Sequence, residues 1–276
     1  MTLHLDAAAY AYPGGSIAVD GVTLRIDPGD RLAVVGANGS GKTTLLLLAA
    51  GGLRVSAGTV HLDGAALRYD ARSLDRWRRA VGLVMQDPDD QLFAPTVAED
   101  VAFGPANLGL DEAEIDRRVD AALTELRIAD LALRPTHMLS LGQKKRLALA
   151  GVLAMQPRYL AFDEPTAGLD PLAAVHLLAG LDRLAAAGTG VLLATHDLDA
   201  AYGWADRVVV LERGRILAEG PPEAVLADAE TVRRARLRPP LLLELGRRLQ
   251  GQGILPPGPL PRRRRDFMRA LACPER

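Results

Sequence analysis

Residues 36–44 form a glycine-rich segment, GANGSGKTT, between an apolar run at residues 32–35 and a leucine-rich stretch at residues 45–50. Its glycines let the backbone fold into a tight cradle whose N–H groups converge on one anion. A helix predicted to open at residue 45 directs the positive end of its dipole at the same anion. The order strand, loop, helix therefore predicts an α/β fold and a site for the phosphates of a nucleotide.

The polar residues at the end of this segment carry the expected phosphate chemistry. Lys42 can reach the β- and γ-phosphates, and the Thr43 hydroxyl can bind Mg²⁺. Only three of the 33 basic residues are lysine, and a compact point charge suits the position of Lys42. The loop expected to bind the nucleotide consists of Gly36, Ala37, Asn38, Gly39, Ser40, Gly41, Lys42, Thr43 and Thr44.

Composition limits where such a protein acts. Its 276 residues contain no apolar run near the roughly 18 residues of a membrane-spanning helix, and the N-terminus lacks an export pattern. We therefore expect a cytoplasmic chain that reaches a membrane only through a partner. A net charge of −1 gives no overall attraction to nucleic acid or anionic lipid. The single cysteine, Cys273, cannot form an internal disulfide and fits a reducing compartment.

Turn residues and apolar patterns predict how the chain is organised. The first thirty residues are expected to form short antiparallel strands between Pro and Gly turns. Residues 96–156 contain three successive capping-box patterns, which indicate an inserted helical subdomain. From residue 159 onward strands and helices alternate, as in a parallel sheet with helices on its faces.

A second half of the site is expected where an apolar strand at residues 159–162 ends in Asp163 and Glu164. Just beyond a strand end, both carboxylates can face one cleft. Asp163 is then placed to support Mg²⁺, and Glu164 to take a proton from an attacking water. The alternative is a solvated strand terminus, but a phosphate loop in the same chain favours catalysis.

Further motifs, in order along the chain, resemble the ATP-binding subunits of ABC transporters over residues 3 to about 225. After the phosphate loop they are Gln86, residues 139–143 (LSLGQ, the signature motif), Asp163 with Glu164, residues 167–170 (AGLD, the D-loop) and His196. The resemblance implies a P-loop NTPase with a mixed or parallel sheet core and an N-terminal antiparallel β subdomain. The ABC ATPase domain would span residues 1–235, with the helical signature subdomain at about 96–156. Residues 236–276 would be a C-terminal helical extension with a basic tail.

The resemblance also implies catalytic roles within one chain. Gln86 would meet Mg²⁺ or the attacking water and report the nucleotide state to a transmembrane partner. His196 would bind the γ-phosphate beside Glu164, and Lys42 would stabilise the charge of the reacting phosphate. Tyr12 would stack on the adenine ring, with Tyr10 as the alternative and a core role open for both.

The signature motif implies a second ATPase subunit. Ser140 can cap its own helix, and its hydroxyl and the Gly142 N–H can also face a phosphate. By resemblance, Ser140 and Gly142 would contact ATP held by the opposite subunit, so that two chains clamp two nucleotides head to tail. The resemblance also makes Gln143 and Asp170 candidate nucleotide-binding residues. Leu141 departs from the glycine more common at its position. We expect a homodimer, with a heterodimer as the alternative.

One long stretch narrows the resemblance to energy-coupling-factor importers of metals and vitamins. It covers residues 84–105 (VMQDPDDQLFAPTVAEDVAFGP), and residues 142–146 and 195–206 are similar to the cobalt and nickel importers of that branch. The partners implied are a transmembrane coupling protein and a substrate-binding membrane protein, with this chain peripheral on the cytoplasmic side. Phe93 and Phe103 suit a groove that receives a partner's helix, or else pack within the helical subdomain.

Other functions stay open as alternatives. One is an energy-coupling ATPase for a vitamin or another substrate. A second, from a different class, is a soluble ABC ATPase of DNA repair or translation, which the near-neutral charge and the lack of a cysteine cluster or long heptad run disfavour. A third is a regulatory subunit that binds ATP without hydrolysing it, against which Glu164 and His196 argue. The basic run at residues 262–265 is expected to be a solvated tail, with anionic lipid or nucleic acid as alternatives.

Overall fold

The structure is a computed structural model that describes residues 2–272. Cys273 therefore lies outside the described residues. The strands are, in chain order, β1 (Leu3–Ala11), β2 (Ile17–Ile26), β3 (Arg31–Val35), β4 (Ala57–Leu62), β5 (Ala65–Ala66), β6 (Val81–Val84), β7 (Tyr159–Asp163), β8 (Gly190–Thr195), β9 (Arg207–Glu212) and β10 (Arg215–Gly220). They form an antiparallel sheet in the order β2-β1-β4-β5 and a mixed sheet in the order β10-β9-β3-β8-β7-β6.

The helices lie between and around these strands. They are α1 (Lys42–Ala49), α2 (Ala71–Ala80), α3 (Val97–Asn107), α4 (Glu112–Glu125), α5 (Leu141–Ala154), α6 (Pro171–Ala186), α7 (Leu198–Trp204), α8 (Pro222–Leu226), α9 (Ala229–Arg234), α10 (Leu241–Gly251) and α11 (Arg264–Ala272). None of those in residues 2–272 is long and apolar enough to cross a bilayer. The α/β fold, the antiparallel start and the helical segment at residues 96–156 are confirmed.

Strand β3 lies at the centre of the mixed sheet and between two apolar cores. It pairs in parallel with β8 on one side and β9 on the other. Its alternate residues face opposite cores: Leu32 and Val34 one, Ala33 and Val35 the other. A strand buried on both faces is apolar throughout, which explains the run at residues 32–35. The loop that follows β3 therefore starts from a strand that is buried on both faces.

The helix starts follow local hydrogen-bonding signals. Thr96 with Glu99 and Ser140 with Gln143 form complete capping boxes at α3 and α5. The third predicted box is only half formed. Asp111 accepts from the Glu114 N–H, but the Glu114 side chain binds arginines of its own helix instead of reaching back.

Helix α1 begins at Lys42, three residues before the predicted start at residue 45. The cap residue, Gly41, has a φ of 105°, which an L side chain rarely adopts, and it lets the chain turn directly into the helix. Lys42 and Thr43 thus occupy the first helical turn, where backbone N–H groups lack partners within the helix.

The predicted C-terminal extension packs on the rest of the fold. Leu243 of α10 and Phe267 of α11 belong to the core that lies under β3 and β8. Residues 252–263 contain no helix or strand, yet Leu255 and Leu260 in this stretch are buried. The predicted solvated tail is wrong for Arg262, which donates to the Tyr202 and Ala205 carbonyls at the end of α7. A guanidinium binds there because the last carbonyls of a helix lack partners.

Candidate active site

The phosphate loop joins β3 to α1 and depends on glycine at two points of close approach. A Cβ on Gly36 would collide with the Leu211 carbonyl and lie 2.5 Å from Ser40 Oγ. A Cβ on Gly41 would collide with the Ala18 carbonyl. The neighbouring backbones of β2 and β9 therefore fix the loop as a tight turn at the carboxyl end of the central strand.

Lys42 folds back over this loop. Its Nζ donates to the carbonyl of Gly36 at 2.8 Å and to that of Ala37 at 3.2 Å. Burial lowers the pKa of Lys42, while the charges of Glu164 and Asp163 act in the opposite direction. The Nζ of Lys42 therefore rests on two neutral carbonyl acceptors, which an anionic phosphate can replace.

Asp163, at the end of β7, faces the first turn of α1. The Thr43 hydroxyl donates to its Oδ2 at 2.6 Å. Burial is the main cause that raises the pKa of Asp163, and the Thr43 bond and the charges of Lys42 and Lys145 oppose it. Gln86 is exposed just beyond β6 and lines the same cleft as Thr43 and Asp163. Hydroxyl, carboxylate and amide oxygens are ligands of the kind that Mg²⁺ prefers.

Glu164 is the most tightly held acid of the site. Its Oε2 accepts from the Thr195 hydroxyl at 2.9 Å, and its Oε1 accepts from the His196 backbone N–H at 3.0 Å. His196 Nδ1 also lies 2.7 Å from Oε1. The carboxylate is buried, whereas the His196 side chain is 57% exposed. The end of β8 therefore fixes the acid, and the imidazole stands between it and solvent.

The phosphate cleft is a depression of about 430 Å³ around the loop. It is lined by Tyr12, Ser16, Ile17, Ala18, Asn38, Gly39, Gly41, Lys42, Thr43, Thr44, Gln86, Asp163 and Glu164. Tyr12 is half-exposed at the rim, with its hydroxyl 3.1 Å from Thr44 Oγ1 and its ring edge-on to Tyr10. A flat, exposed ring beside a phosphate loop can stack on a base.

The signature residues lie outside this cleft. Ser140 Oγ accepts from the Gln143 N–H at 3.4 Å, and Gln143 Oε1 accepts from the Ser140 N–H at 2.9 Å. Gly142 and Asp170 line a different cleft, between α5 and α6, where Asp170 caps α6. Within the described chain the structure thus separates two groups of predicted residues: the loop with the acids, and the signature with Asp170.

Two side chains that were assigned no site role from the sequence hold this region together. The Gln91 side chain accepts from the Met85 N–H at 2.7 Å and donates to the Leu83 carbonyl at 3.0 Å, which fixes the end of β6. Lys145 is buried in α5 and donates to the Glu164 and Ala167 carbonyls. Its signal was present, since a lysine stands on the apolar face that also carries Ala148, Leu149 and Val152.

A second surface feature lies on the helical subdomain. Phe93 and Phe103 are 62% and 50% exposed, and their rings meet edge to face with centroids 4.5 Å apart. They line a groove of about 720 Å³ between α3 and the end of β6. Asp100, buried in α3, accepts from the Phe93 and Ala94 N–H groups at 3.0 Å each and so fixes the segment that carries Phe93. Packing inside the subdomain does not account for this exposed pair.

The fold and the cleft define a phosphate-loop nucleotide hydrolase, and comparison with known proteins narrows the class. A family profile described as ABC transporter matches residues 19–167. The cobalt import ATP-binding protein CbiO of Rhodobacter capsulatus is 51% identical over 263 residues, 95% of this chain and 94% of that protein. The energy-coupling factor transporter ATP-binding protein EcfA2 of Methanospirillum hungatei is 45% identical over 98% of this chain and 68% of that protein.

A solved structure agrees with these relatives. The structure of cbiO1 from Clostridium perfringens, described as part of the ABC transporter complex cbiONQ, matches with a TM-score of 0.75 and 40% identity. The match covers 88% of this chain and 97% of that one. The chain therefore belongs to the ATP-binding subunits of ABC transporters, and within them to the energy-coupling-factor type. Its activity is ATP hydrolysis.

Proposed function

We propose that this chain powers the import of cobalt or nickel ions, as the ATP-hydrolysing subunit of an energy-coupling-factor importer whose membrane proteins bind the ion. The observation that carries the proposal is the fixed Glu164 beside a complete phosphate loop, in a chain whose relatives include a cobalt import protein. An acid held at both oxygens within one cleft with the loop is arranged for hydrolysis rather than for binding alone.

The loop half of the site would bind the nucleotide. Lys42 would exchange its two carbonyl acceptors for phosphate oxygens, and the N–H groups of the loop and first turn of α1 would surround the same phosphates. Tyr12 would stack on the adenine. Thr43, Asp163 and Gln86 fit Mg²⁺ by their oxygen donors, and the bound ion would supply positive charge at the β- and γ-phosphates.

Glu164 would act as the general base toward the water that attacks the γ-phosphate. The Thr195 hydroxyl and the His196 N–H hold its carboxylate in one orientation, so little reorganisation is needed when the water arrives. The exposed His196 imidazole would then donate to the γ-phosphate from the solvent side. Transition-state charge would be stabilised by Lys42 and by donors from the opposite subunit.

Those donors are the reason to propose a head-to-tail dimer. Ser140, Gly142 and Gln143 stand at the exposed start of α5, and with Asp170 they do not line the phosphate cleft of their own chain. A second copy turned to face the first would bring its helix start to the phosphates, where a helix N-terminus favours an anion. Closure around two ATP molecules would then be the power stroke.

The Phe93 and Phe103 groove would receive the membrane partner. The groove lies beside Gln91, which fixes the strand that leads into Gln86, so a helix seated there is mechanically linked to the nucleotide cleft. Exposed aromatic rings along a groove fit an apolar helix face. The chain would therefore be peripheral, on the cytoplasmic side of the membrane, joined to a transmembrane coupling protein.

The experiment is an uptake assay in cells that lack their own cobalt and nickel importers. The chain is expressed with its membrane partners, and accumulation of each metal is measured for wild type, Lys42→Ala and Glu164→Gln. Glu230→Gln, at an exposed position on α9, is the control. We expect metal uptake in the wild type and the control and none in the two site variants. Uptake of neither metal by the wild-type complex would contradict the assignment of substrate.

A further inference from the structure

Lys145 is a buried cation whose partners are carbonyl groups. Lys145 is 2% exposed, and its Nζ donates to the Glu164 carbonyl at 3.0 Å and to the Ala167 carbonyl at 2.6 Å. Within residues 2–272 no carboxylate oxygen lies within ion-pairing distance of it. Burial lowers the pKa of Lys145, while the more distant charges of Glu164, Asp163 and Asp87 oppose that effect. A lysine rarely occupies such a position without a specific partner.

One of the two carbonyls that Lys145 binds belongs to Glu164, a residue with an unfavourable backbone conformation. Glu164 has a φ of 45°, in the left-handed region that residues other than glycine seldom adopt. Its carbonyl also accepts from the Ala167 N–H at 3.2 Å, and its own N–H donates to the Ala194 carbonyl. Three hydrogen bonds to the main chain of Glu164 therefore surround a backbone conformation that costs free energy in residues other than glycine.

The two ends of Glu164 are thus held by different parts of the molecule. The carboxylate is fixed by Thr195 and His196 at the end of β8, and the main chain is fixed from α5. Helix α5 begins with the signature motif, so it would present Ser140 and Gly142 to the nucleotide of the opposite subunit. The same helix is hydrogen-bonded to Glu164, which would act on the nucleotide of its own chain. Lys145 lies in the second turn of that helix.

We propose that Lys145 is a positioning residue that holds the main chain of Glu164, so that the carboxylate stays aligned for hydrolysis in the phosphate cleft. This inference rests on the role of Glu164 proposed above. It adds a link from α5, the helix that begins with the signature motif, to Glu164 of the same chain. This link is separate from the contacts that the Glu164 carboxylate makes. In a head-to-tail dimer this link would connect the two nucleotide sites.

The neighbouring lysine provides a matched control. Lys144 donates to Asp89 Oδ1 at 2.6 Å, and the Asp89 side chain is 64% exposed. It stands on the same helix, one residue away, but within residues 2–272 its side chain forms no hydrogen bond with Glu164 or the segment after it. Replacing it changes the charge of α5 by the same amount without touching the bonds to the acid.

The first test compares Lys145→Met, Lys145→Arg and Lys144→Met by ATP hydrolysis, binding of a non-hydrolysable ATP analogue and thermal unfolding. We expect Lys145→Met to lower kcat by about 10- to 100-fold, part of what a general base contributes, with KM and analogue affinity changed less than about twofold. Lys145→Arg should recover part of kcat, and Lys144→Met should resemble the wild type. Wild-type kcat in folded Lys145→Met, or loss of analogue binding in step with kcat, would overturn the proposal.

The second test separates positioning from general packing and uses Glu164→Gln as background. Single-turnover hydrolysis is measured for Glu164→Gln and for Glu164→Gln with Lys145→Met or, should that protein not fold, with Lys145→Gln. Because no base is left to align, the Lys145 change should have no further effect on the slow rate. The same further drop as in the wild-type background would show that Lys145 does not act through Glu164 and would overturn the proposal.

The proposed role of Glu164 fails separately. If Glu164→Gln hydrolyses ATP at the wild-type rate, both that role and this inference are overturned. If Glu164→Gln is inactive while folded Lys145→Met keeps the wild-type kcat, only the inference about Lys145 is overturned. Three results together support both roles. Lys145→Met hydrolyses ATP slowly with normal nucleotide binding, Lys145→Arg recovers part of kcat, and Lys145→Met has no further effect in the Glu164→Gln background.

Discussion

His196 binds Glu164 through two atoms: its backbone N–H lies 3.0 Å and its ring Nδ1 2.7 Å from the same oxygen, Oε1. The backbone bond fixes the acid whatever the side chain at position 196. The ring bond depends on the imidazole, which is largely exposed. Alignment of the carboxylate and the proposed contact with the phosphate are therefore separable at this residue.

His196→Ala should keep the acid in place but remove the imidazole from the solvent side of the cleft. We expect kcat to fall by about 100-fold or more, with ATP affinity nearly unchanged, because the proposed contact would be made to the charge that develops on the γ-phosphate. Steady-state phosphate release and binding of a fluorescent ATP analogue measure the two quantities. His176→Ala, an exposed histidine on α6, is the control, and equal kcat values for the two variants would contradict the role of His196.

Phe93→Ala should separate ATP hydrolysis from transport. The side chain is 62% exposed and lies in the groove away from the phosphate cleft, so its loss removes apolar contact area for a partner without altering nucleotide contacts. We expect metal uptake and co-purification with the membrane partners to fall several-fold, while analogue binding by the isolated chain is unchanged. Leu241→Ala, which truncates an equally exposed side chain on α10, should leave uptake intact. Unchanged uptake by Phe93→Ala would remove the groove from the transport mechanism.

Much of the site could be predicted because its signals are local. The glycines of the loop, the apolar strand before the acids and the capping residues each determine structure within a few positions of themselves. Such signals recur in a fixed order along the chain, and the mixed sheet brings the ends of β3, β7 and β8 together. The loop, Asp163 and Glu164 therefore meet in one cleft, as the order of motifs implied.

The contacts that escaped prediction share a physical cause. Lys145 binds carbonyls about twenty residues away, and Arg262 binds a carbonyl 60 residues away. Every residue has a carbonyl, so the acceptor leaves no mark in the sequence, and only the donor can be recognised. A basic residue on an apolar helix face, or next to buried leucines, is the signal that remains.

Asp206 makes the stability of the fold depend on pH. The hydrogen bond from Arg31, opposed by burial, lowers the pKa of Asp206 below its ordinary value. A carboxyl with a lowered folded-state pKa stabilises the fold above its unfolded pKa of about 3.9, and this contribution is lost as the pH falls through the lower folded value. Asp206→Asn should therefore flatten the decrease in urea midpoint on acidification below about pH 4.

Asp199 is the natural control for that measurement, because burial raises its pKa rather than lowering it. Its ionised form is disfavoured in the fold, so Asp199→Asn should not reduce the acid sensitivity. Urea unfolding followed by circular dichroism at several pH values from neutral to acidic would give both results. If the urea midpoint of Asp206→Asn decreased on acidification as steeply as that of the wild type, a stabilising role for the Arg31–Asp206 pair would be contradicted.

Arg262 should stabilise α7, the helix that follows His196. Its guanidinium donates to the Tyr202 carbonyl at 2.6 Å and to the Ala205 carbonyl, and it lies over the Tyr202 ring. Arg262→Ala leaves these carbonyls without donors at the end of α7, and we expect a loss of about 2 kcal/mol in unfolding free energy. Arg265→Ala removes the same charge from an exposed position on α11 and should lower the unfolding free energy much less.

Hydrogen exchange distinguishes this local role from a general effect of charge. In Arg262→Ala the amides of α7 should exchange faster, because the last turn loses the donor that holds its carbonyls, while those of β3 in the central sheet stay protected. Since Asp197 caps α7 directly after His196, a looser α7 should also lower kcat by a few fold. Uniformly faster exchange, or wild-type stability in Arg262→Ala, would mean that the extension does not support this helix.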